Sequence, residues 1–281
     1  MLLKIGSTGD LVKKLQESLG IGADGTFGPG TESALKKWQA ANGLEADGLA
    51  GAGTLAKMGI STDVPVVDSA DSHPANFAAL KGKVPDRILP IIQEAFPKYE
   101  ITSNLRAAHF LAQIAHESGD FTIKTESMNY TTPARIVSIW PSRFNLDGSD
   151  GKKNANEYIK NESKLAEAVY GNRAELGNNQ PGDGFRFRGG GYLQLTGREA
   201  YKGYAAYIGK SVEDTADLLR SDDHYAMDAA CWEYALRMKL NPVADMGTYE
   251  DVVKKITKRV NGGYIGLEER LSNFKKFYAV L

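Results

Sequence analysis

Cysteine and histidine are scarce in this chain, and long apolar runs are missing. The single Cys231 excludes an internal disulfide. Set in AACWEYAL with no activating neighbour, it reads as a buried small hydrophobe and not as a nucleophile. His73, His109, His116 and His224 show no H-E-x-x-H spacing, so a zinc peptidase or amidase lacks its ligands. His73 falls in the linker, His109 and His116 lie seven apart on one helix face without the spacing of metal ligands, and no metal or cofactor is expected. No apolar stretch approaches the roughly 20 residues that span a bilayer, so no membrane insertion is expected. Excess charge is missing too. A formal net charge of −1 offers no general attraction to a polyanion, and no nucleic acid partner is expected. The opening MLLKIGSTGD has too short an apolar run for a secretion signal, so synthesis in a reducing cytoplasm is expected.

What is present is an ordinary globular balance. The 281 residues are 42% hydrophobic and 25% charged, enough to bury the core of one large or two modest domains. A repeat stands near the start. Asp24–Thr31 reads DGTFGPGT and Asp47–Thr54 reads DGLAGAGT, one D-G-x-x-G-x-G-T frame recurring after 23 residues. Each copy reads as a turn whose threonine is placed to cap a following helix. Helical spacing in DLVKKLQESLG and ALKKWQAANG fills the gaps. Residues 61–75, with two prolines, three aspartates and no basic residue, read as a linker between domains at 1–60 and 76–281. In the larger domain NLRAAHFLAQIAHES, AMDAACWEYALRM and EDVVKKITKRVNGG keep helical periods, and strand signal is short. The fold class is mainly α.

Two glutamates in AHESGDFTIKTESMNY raise a question of chemistry. Glu117 sits at the expected end of a helix capped by Thr102 or Ser103, where a carboxylate faces the negative end of the helix dipole. That setting disfavours its charge, as a general acid needs. Arg106, His109, Gln113 and His116 form a polar stripe, with Arg106 and His109 read as a solvated face. In one continuous helix Glu126 would lie about 13.5 Å along the axis and on the opposite side. Gly119 allows the helix to stop and the chain to fold back. Two carboxylates flanking a sugar bond are the minimum for glycoside hydrolysis. In GDGFRFRGGGYLQLTGREAY, Tyr192, Gln194 and Thr196 alternate with Leu193 and Leu195. Extended, the three polar residues share a face suited to a sugar or a held water. No G-K-[ST] accompanies the glycines, which discounts a phosphate cradle.

Two resemblances follow from these residues. Residues 2–60, through the LQESLG, DGTFGPGT, ALKKWQAANGL and DGLAGAGTL segments, resemble a three-helix peptidoglycan-binding domain. Residues 76–281 resemble the catalytic domain of glycoside hydrolase family 19, in the form carried by bacteriophage endolysins and related to chitinases. The resemblance implies a lysozyme-like, chitinase-like α-rich fold. It makes Glu117 the general acid (AHESGDF) and Glu126 the base (ESMNY). FRFRGGGYLQLTGREAY implies that Gln194 binds sugar and Thr196 helps hold water. VNGGYIGLEERLSNF implies that Asn261 binds substrate and Arg270 supports the site. The family usually has arginine at the place of Gly190 and asparagine at that of Ala200, which puts subsite contacts in question. The implied protein is a monomeric endolysin. It is released from the host cytoplasm through a holin pore and cuts β-1,4 bonds of peptidoglycan by inversion, with water beside Thr196. Chitin is the rival substrate, and a lytic transglycosylase would not need Glu126. A non-catalytic wall binder would not need the two glutamates, Gln194 or Thr196.

Overall fold

The computed structural model describes residues 3–60, 73–248 and 250–281. The helices, in chain order, are α1 (Asp10–Ser18), α2 (Pro29–Ala41), α3 (Ala52–Lys57), α4 (Leu89–Lys98), α5 (Asn104–Glu117), α6 (Pro133–Ile139) and α7 (Glu162–Tyr170). They continue with α8 (Asp183–Arg186), α9 (Arg198–Ile208), α10 (Val212–Ser221), α11 (Asp223–Cys231), α12 (Asn241–Ala244), α13 (Glu250–Asn261) and α14 (Leu267–Tyr278). Strand among the described residues is limited to a two-residue parallel pair, β1 (Phe144–Asn145) and β2 (Lys153–Asn154). The protein is mainly α.

Among the described residues three separate cores form. Val12, Leu15, Phe27, Leu35 and Leu55 close the first around α1–α3. The repeat builds it twice. Gln16 donates to Asp24 and accepts from Gly25 N–H; Gln39 does the same with Asp47 and Gly48, so one buried amide ties each helix to the turn that follows. The threonines do not cap. α2 starts at Pro29 after Gly28, and Thr31 lies inside the first turn, accepting from Gln16. Proline at the first helical position needs no partner for the N–H it lacks, so a threonine there is free for other work.

A large core is built from α4, α5, α9–α11, α13 and α14. Cys231 is fully buried in it, and burial pushes its thiol well above the ordinary range. A third core, with Met128, Ile136, Phe144, Leu165 and Val169, unites α6, α7 and the short strands as a smaller lobe. Of the expected linker, residues 61–72 lie outside the described residues. Residues 73–75 pair with the entrance to α5: Ala75 N–H donates to Thr102, and Asn104 N–H donates to His73.

α5 is the spine of the large core. Ser103 Oγ accepts from Arg106 N–H, so the capping residue is Ser103. The stripe read as solvated is in fact covered. His109 and Gln113 are fully buried beneath α14 and α13. The His109 ring stacks on Phe274 with centroids 4.2 Å apart, and Nε2 meets the Gly247 carbonyl at 2.9 Å. Burial depresses its pKa to about 4, keeping the ring neutral. Arg106 keeps partial exposure and grips both carboxylate oxygens of Asp245. A single-helix reading could not foresee this, because the covering helix arrives from about 150 residues downstream.

Candidate active site

The end of α5 is fixed by Ser118. This fully buried residue donates its hydroxyl to Ile114 O and accepts Phe121 N–H. Gly119, Asp120 and Phe121 then all take left-handed φ angles, 54°, 53° and 64°. Only the first is a glycine, so the reversal is imposed on two ordinary residues and held by burying the Phe121 ring.

Glu117 is the last residue before this reversal, and its carboxylate has a charged partner. Arg270 on α14, 1% exposed, donates to Glu117 Oε1 at 2.5 Å. The same guanidinium donates to Gln113 Oε1 at 2.7 Å and to Ile265 O at 3.3 Å. Gln113 in turn donates to Thr257 on α13. The guanidinium sets a positive charge against the negative end of the α5 dipole at Glu117. Among the described residues Asn261 makes no hydrogen bond to Glu117. It folds the following loop, accepting Gly263 N–H at 2.8 Å and donating to Ile265 O at 3.1 Å. Asn261 and Arg270 thus meet at one carbonyl. The loop runs tightly over His116, where a side chain at Gly266 would fall 2.1 Å from the imidazole. His116 pairs with Glu269.

Glu126 is held differently. After the reversal, residues 124–126 lie antiparallel to 189–191: Gly191 N–H donates to Lys124 O, and Glu126 N–H donates to Gly189 O. Gly189 N–H returns a bond to Glu126 Oε2 at 3.0 Å, and the Tyr170 hydroxyl donates to Oε1 at 2.8 Å. Both carboxylate oxygens therefore have neutral donors. Tyr170 ends α7 in the smaller lobe, so Glu126 stands where the two lobes meet. Burial, and then the Glu126 charge, push the Tyr170 phenol far above its ordinary pKa, so it stays a donor. Arg188, mostly buried, donates to the Glu126 carbonyl.

The glycine-rich stretch is a tight turn, not an extended strand. Gly190 and Leu195 exchange two backbone bonds of 3.0 and 2.8 Å, and Gln194 sits in the left-handed region at φ 54°. Tyr192 leaves the expected polar face. It is fully buried and donates to Asp223, because the turn points it into the large core beside Phe121. Gln194 and Thr196 stay partly exposed, with Thr196 donating to the Gln194 carbonyl. A Cβ at Gly189 would come within 2.6 Å of Gln194 Oε1 and 3.1 Å of Glu126 Cβ, so glycine there lets the amide lie against the acid. A Cβ at Gly190 would fall 2.2 Å from the Tyr201 hydroxyl, which donates to Arg188 O. That contact leaves no room for a side chain at Gly190.

The six sequence-chosen residues thus form two groups, Glu117–Arg270–Asn261 and Glu126–Gln194–Thr196, linked by the Gly119–Thr125 reversal. Sequence reasoning missed Tyr170, Gly189 N–H and the Gln113 amide as donors and acceptors around the acids. Tyr170 gave no signal beyond closing a helical pattern. Gln113 was visible only as one member of the stripe. Among the described residues no group of three or more His, Cys, Asp or Glu could hold a metal ion.

Residues 8–58 match the family of putative peptidoglycan binding domains. Over 184 residues, 66% of this chain, the sequence is 29% identical to a Haemophilus influenzae protein described as containing a glycosyl hydrolase family 19 domain, and covers 84% of it. The chain thus joins a segment that matches peptidoglycan-binding domains to a region similar to a protein with a glycosyl hydrolase family 19 domain. Among solved structures, it is 18% identical to a bacterial family 19 chitinase (TM-score 0.41), with 74% of this chain and 88% of that chain covered. A Burkholderia AP3 phage endolysin is 16% identical (TM-score 0.27), with 99% and 98% covered. The repeat lies within the residues that match the peptidoglycan-binding family, and both groups of site residues lie outside them.

Proposed function

We propose that the chain is a cell-wall glycoside hydrolase that cuts β-1,4 bonds of peptidoglycan with Glu117 as acid and Glu126 as base. The observation that carries this reading is the different holding of two carboxylates within one reversal of the chain. One is gripped by a buried guanidinium and the other by a phenol and a backbone amide, beside the half-buried side chains of Gln194 and Thr196. Glu117 gives its proton to the glycosidic oxygen as the C1–O bond breaks. Glu126 takes a proton from a water that attacks C1 from the opposite face, with Thr196 helping to hold that water. The bond is replaced by two hydroxyls, and the configuration at C1 inverts. Arg270 and Tyr170 keep the two acids from turning away.

The peptidoglycan-binding domain favours peptidoglycan over chitin, since both substrates offer β-1,4 chains containing N-acetylglucosamine. The reading extends to a muramidase of the endolysin type, acting on the wall after release from the host cytoplasm. Digestion of purified peptidoglycan and of chitin oligomers, followed by mass analysis of the reducing ends, tests it. Muramic acid reducing ends are expected. Release of N-acetylglucosamine ends from peptidoglycan would remove the muramidase assignment, and cleavage of chitin alone would remove peptidoglycan as substrate. Proton NMR in the first minutes should show the α-anomer; an initial β-anomer would rule out inversion.

A further inference from the structure

A cavity of about 700 Å³ lies away from both glutamates, between the peptidoglycan-binding domain and the α12–α13 region. It has the size of a ligand pocket. Its walls are held together by contacts across the two domains. Asp251, early in α13, sits against the start of α3, accepting from Thr54 Oγ1 at 2.9 Å and from Thr54 N–H at 3.3 Å. A Cβ on Gly51 would fall 2.4 Å from its Oδ1, so the second glycine turn is what admits the carboxylate. Lys254, almost wholly buried, pairs with Asp47 at 2.6 Å, and Lys258 pairs with Glu45. Asp47 is also the residue that Gln39 ties into the second repeat.

The lining suits a peptide better than a sugar chain. Among the described residues none that lines it is aromatic, whereas sugar rings are commonly stacked on aromatic faces. Leu44, Ala56, Ile60 and Met246 supply small apolar walls. Of the three lining acids, Glu45 and Asp47 are held in ion pairs with lysines, and Asp251 is bonded through Oδ2 to Thr54, with its buried Oδ1 lacking a hydrogen-bond partner among the described residues. Two lining lysines make contacts of another kind: Lys57 donates to the Asn42 carbonyl at 2.6 Å, and Lys255 reaches the Met246 sulfur at 3.9 Å. Those partners are neutral, and among the described residues neither lysine is tied to a carboxylate. A ligand with carboxylates and small apolar side chains meets both requirements.

We propose that this interdomain cavity binds a short carboxylate-bearing peptide of the kind that hangs from a cell-wall glycan strand. The inference rests on the cell-wall reading above and adds the peptide stem to the glycan as a recognised part of the substrate. A stem seated there contacts both domains at once, so the hydrolase-like domain is held on strands that carry peptides.

The experiment is calorimetric titration of the full chain with the free tetrapeptide L-Ala-γ-D-Glu-meso-diaminopimelate-D-Ala, with chitotetraose as competitor. Saturable binding of the peptide, undisturbed by chitotetraose, is expected. Lys255→Glu should weaken it at least about tenfold, the scale of one charge-assisted contact. Lys255→Met, which keeps the apolar stem, should weaken it less, and both variants should melt like the parent and cut peptide-free glycan at the parent rate. No binding up to millimolar peptide, displacement by chitotetraose, or equal affinity in Lys255→Glu each overturns the proposal. Peptide binding by a chain that cuts no glycan would remove the proposed hydrolysis and leave this site standing. Glycan cleavage without peptide binding would do the reverse.

Discussion

Glu117 and Glu126 are the same residue type nine positions apart, yet the protein holds them by opposite means. Glu117 depends on a charge brought from far away: Arg270, 153 residues downstream, reaches it from α14 and is itself braced by Gln113 and Ile265. Glu126 depends on neutral donors, the Gly189 N–H and the Tyr170 hydroxyl. An ion pair with a buried guanidinium fixes orientation strongly but leaves a costly orphan if either side is lost. Neutral donors fix orientation at lower stakes, since each is worth about 1 kcal/mol. The two carboxylates should therefore respond alike when their own chemistry is removed and differently when their supports are removed.

The largest effect is expected from the acids themselves. Glu117→Gln and Glu126→Gln should each lower the rate of glycan cleavage by at least about 10²-fold while the protein stays folded. Near-parental turbidity clearance by either variant would cancel its assigned role. Removing the charged support comes next. Arg270→Met leaves Glu117 and Gln113 without their donor and should cost about 3–5 kcal/mol of stability, read from urea unfolding. A loss below 1 kcal/mol would mean that the guanidinium is not the brace of this site.

The platform under Glu117 should also be sensitive to pH. His109 is neutral in the fold, with its pKa held at about 4 by burial against an ordinary value of 6.5. Between those values the unfolded chain binds the proton and the folded chain does not. Stability should therefore be fully present above about pH 6.5 and fall as the pH drops towards about 4, by about 3 kcal/mol at most. His109→Gln should flatten this part of the profile. An unchanged pH dependence in that variant would assign the acid sensitivity elsewhere. The smallest effect belongs to the neutral support. Tyr170→Phe should slow cleavage only several-fold, through loss of about 1 kcal/mol of orientation. It should show in kcat more than in KM, because Tyr170 touches Glu126. A fall as large as that of Glu126→Gln would show that the phenol takes part in the chemistry.

The sequence by itself determined the local things. The helical period of NLRAAHFLAQIAHES placed α5, and the cap was narrowed to Thr102 or Ser103, because capping and amphipathic spacing act within a turn or two. Gly119 marked where α5 could stop, and the D-G-x-x-G-x-G-T repeat marked two turns of one design. Only the tertiary structure decided the fate of the polar stripe, since α13 and α14 arrive from the far end of the chain to bury His109 and Gln113. It also closed the expected strand at 192–196 into a turn. The bonds between Gly190 and Leu195, and the room Tyr201 leaves only for glycine, are contacts that an alternating pattern cannot report. Tyr170 reaches Glu126 from a second lobe with its own core, so no spacing within the Glu126 segment could have named it. Periodicity records which side of an element is apolar. What finally lies against each side, and with what charge, is settled by segments a hundred or more residues away.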